Sequence, residues 1–135
     1  MITNGKYEER SRRMKPILDA CCGARKCWYD KSNPNVVFMD NRKEICTLSD
    51  GRTLEVNPDI VADFRHMPFE DKTFSLVLFD PPHYRWCGDN SNLKKNYGRL
   101  PKDWGNYIGQ GFEECMKCLK KMVFSYSSGM TNRLS

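Results

Sequence analysis

Four short apolar runs in this sequence each lead into an aspartate: PILDA at 16–20, NVVFMD at 35–40, PDIVADF at 58–64 and TFSLVLFDPP at 73–82. The acids are Asp19, Asp40, Asp63 and Asp80. A lone acid at the end of a strand is ordinarily a turn residue or a helix cap. Four in succession would line one edge of a parallel sheet, the edge beyond which α/β sheets bind their ligands. Carboxylates in that row accept hydrogen bonds from hydroxyls and amines, so a nucleotide-like ligand is the expectation. The fourth acid opens Asp80-Pro81-Pro82-His83, where two successive ring-locked residues stiffen the backbone.

The elements that must position these residues follow from the same runs. The segments 16–20, 35–40, 58–64 and 73–82 read as buried strands, the last the most apolar of them. CCGARKCWYD at 21–30 reads as a turn at Gly23 opening into a short helix. Between 43 and 59, Asp50-Gly51 separates runs of alternating polarity, which is a hairpin signal. Residues 83–100 read as irregular and polar, and 101–121 as a helix with its proline near the start. Strands separated by short segments predict an α/β fold with a mostly parallel sheet.

Composition bounds the rest. The 135 residues make room for one domain. Hydrophobic residues are 39% and charged residues 29%, and the mean hydropathy is −0.70, which excludes both a disordered tail and a membrane protein. No apolar run approaches the roughly 18 residues of a spanning helix. MITNGKYEERSRRMK lacks the apolar centre of a secretory signal, so a soluble, cytoplasmic chain is expected, with residues 1–14 a basic lead-in. Lys and Arg outnumber Asp and Glu by 22 to 17, a balance of +5 that permits nucleic-acid binding without demanding it. Seven cysteines, an odd count without an export signal, read as reduced thiols.

Taken together the motifs carry a resemblance. DPPH at 80–83 resembles the D-P-P-Y type motif of amino-methyltransferases that use S-adenosyl-L-methionine, and ILDACCG at 17–23 resembles their first cofactor motif in a less glycine-rich form. D-x-x-C-G, F-M-D, P-D-I-x-A-D-F and P-F-x-D-x-x-F-x-x-V-x-F-D-P-P-H together resemble a group of small phage and bacterial class I methyltransferases, often labelled DNA methylases. The match covers about residues 15–120 and implies a Rossmann-like class I methyltransferase fold.

The resemblance implies a role for each residue. Gly23 would let the backbone approach the methionine end of the cofactor, with Cys22 beside it, and Asp19 would anchor that turn or the ammonium group. Asp40 would accept from the ribose hydroxyls, Asp63 from the adenine amino group, and Phe64 would pack beside the ring. Asp80, Pro81, Pro82 and His83 would form the catalytic edge. The Asp80 carboxylate and the Pro81 carbonyl would accept the two N–H bonds of a substrate amino group, and acceptors aimed at developing positive charge lower the barrier. His83 stands where the family pattern commonly has an aromatic residue that stacks on an extruded base, and Tyr84 follows it. The implied substrate is adenine N6 or cytosine N4 of DNA. A non-catalytic nucleotide-binding remnant and an RNA, protein or small-molecule methyltransferase are the competing readings.

Other signals are weaker. Cys115-x-x-Cys118 has zinc-like spacing, but no second pair matches it and it lies within the expected helix, so no metal is expected. LKKNYGRLPKDW at 93–104, basic with interleaved Tyr97 and Trp104, suits contacts to phosphates and bases, a lid over the substrate, or a solvated loop. KKMVFSYSSGMTNRLS departs from the glycine and fifth strand that the resembling enzymes carry after this helix. Read one base earlier, permitted codons give a glycine and then an aliphatic run. The reading is therefore a methyltransferase domain over 15–121, its late strands missing or replaced, and an out-of-frame tail over 122–135. Sequencing the gene through the codons of Lys120 and Lys121 tests this. A domain so shortened is expected to expose apolar surface and to hold cofactor weakly at best.

Overall fold

The computed structural model describes residues 15–120, so the expectations for 1–14 and 122–135 lie outside the described residues. A four-stranded parallel sheet is built from β1 (Ile17–Asp19), β2 (Val36–Asp40), β5 (Ile60–Val61) and β6 (Leu76–Leu78), in the order β5-β2-β1-β6. All five residues of β2 are buried, the environment in which parallel strands read as continuous apolar runs. An antiparallel hairpin, β3 (Glu44–Thr47) with β4 (Thr53–Val56), stands apart from the sheet. Two helices follow β6: α1 (Asn92–Tyr97) and α2 (Trp104–Cys118). The fold is thus α/β with a mainly parallel sheet. No helix among the described residues is long and apolar enough to cross a membrane.

The hairpin turns where Asp50-Gly51 predicts it. The Gly51 N–H donates to the Leu48 carbonyl at 3.0 Å, and Gly51 takes φ +84°, the left-handed conformation that this three-residue loop requires. Leu48, Leu54 and Val56 form a small buried cluster of their own beneath it.

The main core lies between the sheet and α2. It joins Leu18, Val37, Met39, Phe64 and Phe74 to Cys115 and Cys118 on the buried face of the helix. Cys115 and Cys118 therefore pack as small apolar groups, and burial pushes the Cys115 thiol up to about 12. Gly111 lets the helix come down on the sheet: a Cβ there would stand 2.5 Å from the Phe64 ring and 2.8 Å from that of Phe79.

Several elements differ from their sequence expectation. No helix follows Gly23; residues 21–34 are a chain of turns. Gly23 at φ +49° and Arg25 at φ +60° break any right-handed helical run. Arg25 is held in place by the carbonyls of Lys31 and Asn57, both at 2.7 Å, and lies over the Phe38 ring. The third strand shrinks from 58–64 to Ile60–Val61. Pro58 has no N–H to donate, and Asp59 instead takes the Phe38 N–H on its side chain at 3.0 Å. The fourth shrinks from 73–82 to Leu76–Leu78, and Leu76 is half-exposed at the sheet edge. Residues 83–100 contain α1, capped by the Ser91 hydroxyl on the Lys94 N–H and by Gly98 at φ +76°. The last helix starts at Trp104, after Pro101 rather than around it.

Candidate functional site

Because the four strands are parallel and in register, their carboxyl ends share one edge. Asp19 lies level with Phe38 of β2 and Leu78 of β6, and Asp40 and Asp80 follow those two by two residues. The chain leaves β1 toward β2 and returns on its other side as β6, so the strand order reverses at β1. The crevice outside such a reversal is where doubly wound sheets hold ligands. A cavity of about 570 Å³ opens there.

One wall is the turn after β1. It is stitched to both neighbouring strands: the Ala20 N–H donates to Leu78, that of Cys22 to Met39, and that of Gly23 to the Asp40 carboxylate at 2.8 Å. Gly23 is needed here for its positive φ, and a Cβ there would rest against the Asn96 carbonyl of α1 at 3.4 Å. Asp40, itself buried, also accepts from the Arg42 backbone at 3.0 Å and from its guanidinium at 3.3 Å. Arg42 in turn donates to the Lys95 carbonyl at 2.7 Å and ties this wall to α1.

Asp80, Pro81, Pro82 and His83 form a second wall. Asp80 is exposed, and its carboxylate receives the Cys27 thiol at 3.9 Å. Gly98 presses on Pro82, with 3.2 Å between a Cβ at that glycine and the proline ring, so the end of α1 braces the wall. The rings of His83, Tyr84 and Tyr97 gather beside it, with centroids 4.4 to 5.9 Å apart. Lys26 reaches across to the Asn96 side chain and lies over Tyr97. The stretch 93–104 therefore contributes a short helix that roofs the cavity, pinned to the hairpin by Lys95 on the Thr47 carbonyl and Asn92 on Ser49.

Of the residues singled out by sequence, Cys22, Gly23, Asp40, Phe64, Asp80, Pro81, Pro82 and His83 line this cavity. Asp19, Asp63 and Tyr84 do not. Asp19 sits beneath the turn, almost wholly buried, accepting the Trp28 indole N–H at 2.7 Å and the Cys21 N–H at 3.3 Å. Burial raises its pKa against the opposing pull of those two donors, and the charges of Asp40 and Asp80 raise it further. Asp63 turns onto Arg65, which grips its carboxylate at 2.6 to 3.1 Å and lowers its pKa. The Tyr84 ring lies 4.4 Å from that of His83, tilted 40° to it.

Sequence reasoning missed Arg42 and Tyr107, both of which line the cavity. Tyr107 packs on Phe64 at 4.7 Å from the first exposed turns of α2. Its signal is helical spacing from Gly111 and Cys115, which places it on the buried stripe of α2. Arg42 gives only a weak signal, a cation two residues after a strand-end acid.

The site can therefore present a backbone cradle and a buried carboxylate on one side, an exposed carboxylate and rigid carbonyls on the other, and an aromatic rim. No family model, no curated protein and no solved structure matches this chain.

Proposed function

We propose that this chain is a methyltransferase that uses S-adenosyl-L-methionine and acts on an amino nitrogen, adenine N6 or cytosine N4 of DNA, in the cytoplasm. The observation that carries the proposal is the placement of Gly23 and Asp40 on one wall, and of Asp80, Pro81, Pro82 and His83 on the other, of a single cavity at the point of strand reversal. Its about 570 Å³ lies within the roughly 300–1,000 Å³ of small-molecule sites. In this reading the sheet is the first half of a Rossmann-like class I methyltransferase fold.

The residues present fit the cofactor. The turn at Gly23 leaves backbone exposed with no side chain in the way, a cradle that a Cβ would narrow. A carboxylate offers about four lone-pair sites, and three donors fill Asp40, leaving it one for a ribose hydroxyl. Phe64, Ala62 and Tyr107 supply the apolar wall for the adenine. Asp63, held by Arg65 outside the cavity, takes no part, and Asp19 serves by fixing the turn through the Cys21 N–H.

When bound, the cofactor supplies an electrophilic methyl group. The protein supplies position and charge. An aromatic amine is a weak nucleophile because its lone pair is delocalised into the ring. Asp80 and the Pro81 carbonyl accept its two N–H bonds, hold the nitrogen toward the other wall, and meet the positive charge that develops there. The two prolines fix the carbonyl at no further conformational cost. His83 stacks on the base, steadied by Tyr84 and Tyr97.

The deciding experiment is transfer of labelled methyl groups from the cofactor to DNA, RNA and peptide pools, with calorimetric titration of cofactor alongside. Labelled DNA, with the label lost in Asp80→Ala while cofactor still binds, is the expected result. Cofactor binding without transfer to any pool would leave a nucleotide-binding remnant, and absence of cofactor binding would end the proposal.

A further inference from the structure

Beyond the aromatic rim, residues 83–104 carry a second group of rings that the transfer chemistry does not use. Trp86 is 86% exposed and Trp104 44% exposed, far more than indoles ordinarily are. Arg85 lies between them, its guanidinium 5.8 Å from one indole centroid and 6.0 Å from the other. The group is continuous with the cavity mouth. Arg85 follows Tyr84 in the chain, the Tyr84 carbonyl receives the Leu100 N–H at 2.8 Å, and Tyr84 contacts His83 and Tyr97 at the rim.

The charges around these rings are lopsided. Of the two acids in this segment, Asp89 is neutralised by Lys94 at 3.0 Å and Arg99 at 3.1 Å, and Asp103 stands exposed before Trp104, against five cations. Arg85 and Lys102 have no carboxylate partner among the described residues, and Lys26 is bound to an amide and a ring rather than an acid. Exposed indole faces beside uncompensated cations suit a ligand with π-faces and a negative backbone at short intervals, which is a polynucleotide. Base faces are open to such contacts in a single strand and closed by stacking in a duplex. The choice of DNA over RNA follows the methyltransferase reading, whose substrate is a base of DNA.

We propose that Arg85, Trp86 and Trp104 form a stacking platform that holds single-stranded DNA beside the cavity, seating the nucleotides that flank the target base while His83 receives the base itself. This names the substrate as unpaired DNA and rests on the methyltransferase reading. It also accounts for how the site could engage a base: the target is presented already unstacked, and the cost of extrusion is avoided.

The test is fluorescence anisotropy with a labelled twelve-nucleotide DNA, its duplex and the RNA of the same sequence, across a range of salt, on the full chain. The single strand should bind, quench tryptophan emission and weaken linearly on a log–log salt plot. Trp86→Ala and Trp104→Ala should each weaken it about tenfold, within the range of one lost base stack. Tyr29→Ala, at a still more exposed ring, should change nothing. Circular dichroism checks that these surface variants remain folded. Tighter binding of duplex or RNA overturns the proposal, as does binding indifferent to both tryptophans. So does an acidic peptide that binds where the oligonucleotide does not, which would assign the surface to a protein partner. The two readings fail separately. Methyl transfer to free nucleosides without strand binding removes the platform alone, and strand binding without cofactor binding removes the enzyme alone.

Discussion

The wall of the cavity built by the β1 turn and the end of β2 is buried, and nearly every polar group named in it has a partner inside the protein. The wall built by residues 80–100 is exposed, aromatic and cationic, and is tied to the rest largely by side chains: Arg42 on the Lys95 carbonyl, Lys95 on that of Thr47, and Asn92 on Ser49. The contrast follows from chain position. The first wall sits between two strands whose ladders already fix it. The second hangs beyond β6, which pairs on only one side among the described residues. A site divided this way can hold an invariant ligand on the rigid side and admit a variable one on the open side.

Breaking the open wall chemically should have the largest effect. Asp80 is exposed, so its loss leaves the core untouched. Removing one preorganised polar group from a reacting centre costs about 10²–10³ in rate. Asp80→Ala is expected to lower methyl transfer by that factor with cofactor affinity and melting temperature unchanged, as read by single-turnover assay, calorimetry and thermal unfolding. A parallel loss of cofactor affinity would mean that the two walls are not separable.

The apolar lining of the cavity is broken through its packing. Gly111→Ala puts a Cβ 2.5 Å from the Phe64 ring, which lines the cavity and is hemmed in by Phe79 and Tyr107. Overpacking of this kind costs about 1–3 kcal/mol. Alanine returns about 1 kcal/mol of helix propensity, so packing decides the sign and a net loss of about 1–2 kcal/mol is expected. Denaturant unfolding measures it, and cofactor affinity should fall with it because Phe64 must shift.

How much of this was legible from residue order depends on what made each feature. The parallel sheet and its row of acids were legible, because a strand buried throughout, as β2 is, enforces a continuous apolar run and strand ends enforce turns. The Asp50-Gly51 hairpin was legible from turn chemistry alone. The turns over 21–34 were not, because they depend on Arg25 and Trp28 finding distant partners. Helix α1 left a readable trace in Ser91 and Gly98, but six residues with no buried side chain carry no periodic signal. The pairing of Asp63 with Arg65 was hidden for the opposite reason. Both residue and neighbour were visible, and only the direction of the side chain was missing.

Acids at the sheet edge provide a finer test, because Asp19 and Asp63 are shifted in opposite directions. Asp19 is raised by burial, so the native state holds its proton more tightly than the unfolded chain does. Its contribution is fully present below the ordinary aspartate pKa and is lost as pH rises through the raised value. Denaturant unfolding as a function of pH should show stability falling over that window in the wild type and a flatter profile in Asp19→Asn.

Asp63 should give the smallest effect, and for that reason it separates the geometry from the pattern most cleanly. Its pKa is lowered, first by the Arg65 side-chain hydrogen bonds, so its contribution is present above the ordinary aspartate value and lost as pH falls through the lowered one. The pair is about a third exposed on both sides, and ion pairs so open to water contribute little. Asp63→Asn is therefore expected to change stability slightly, and only on the acid side. If Asp63 met the adenine amino group, as strand-end position suggests, the same substitution would weaken cofactor binding about tenfold. With the carboxylate turned onto Arg65 and away from the cavity, the change by calorimetric titration should stay within about twofold, whereas Phe64→Ala, on the lining itself, should lose affinity outright.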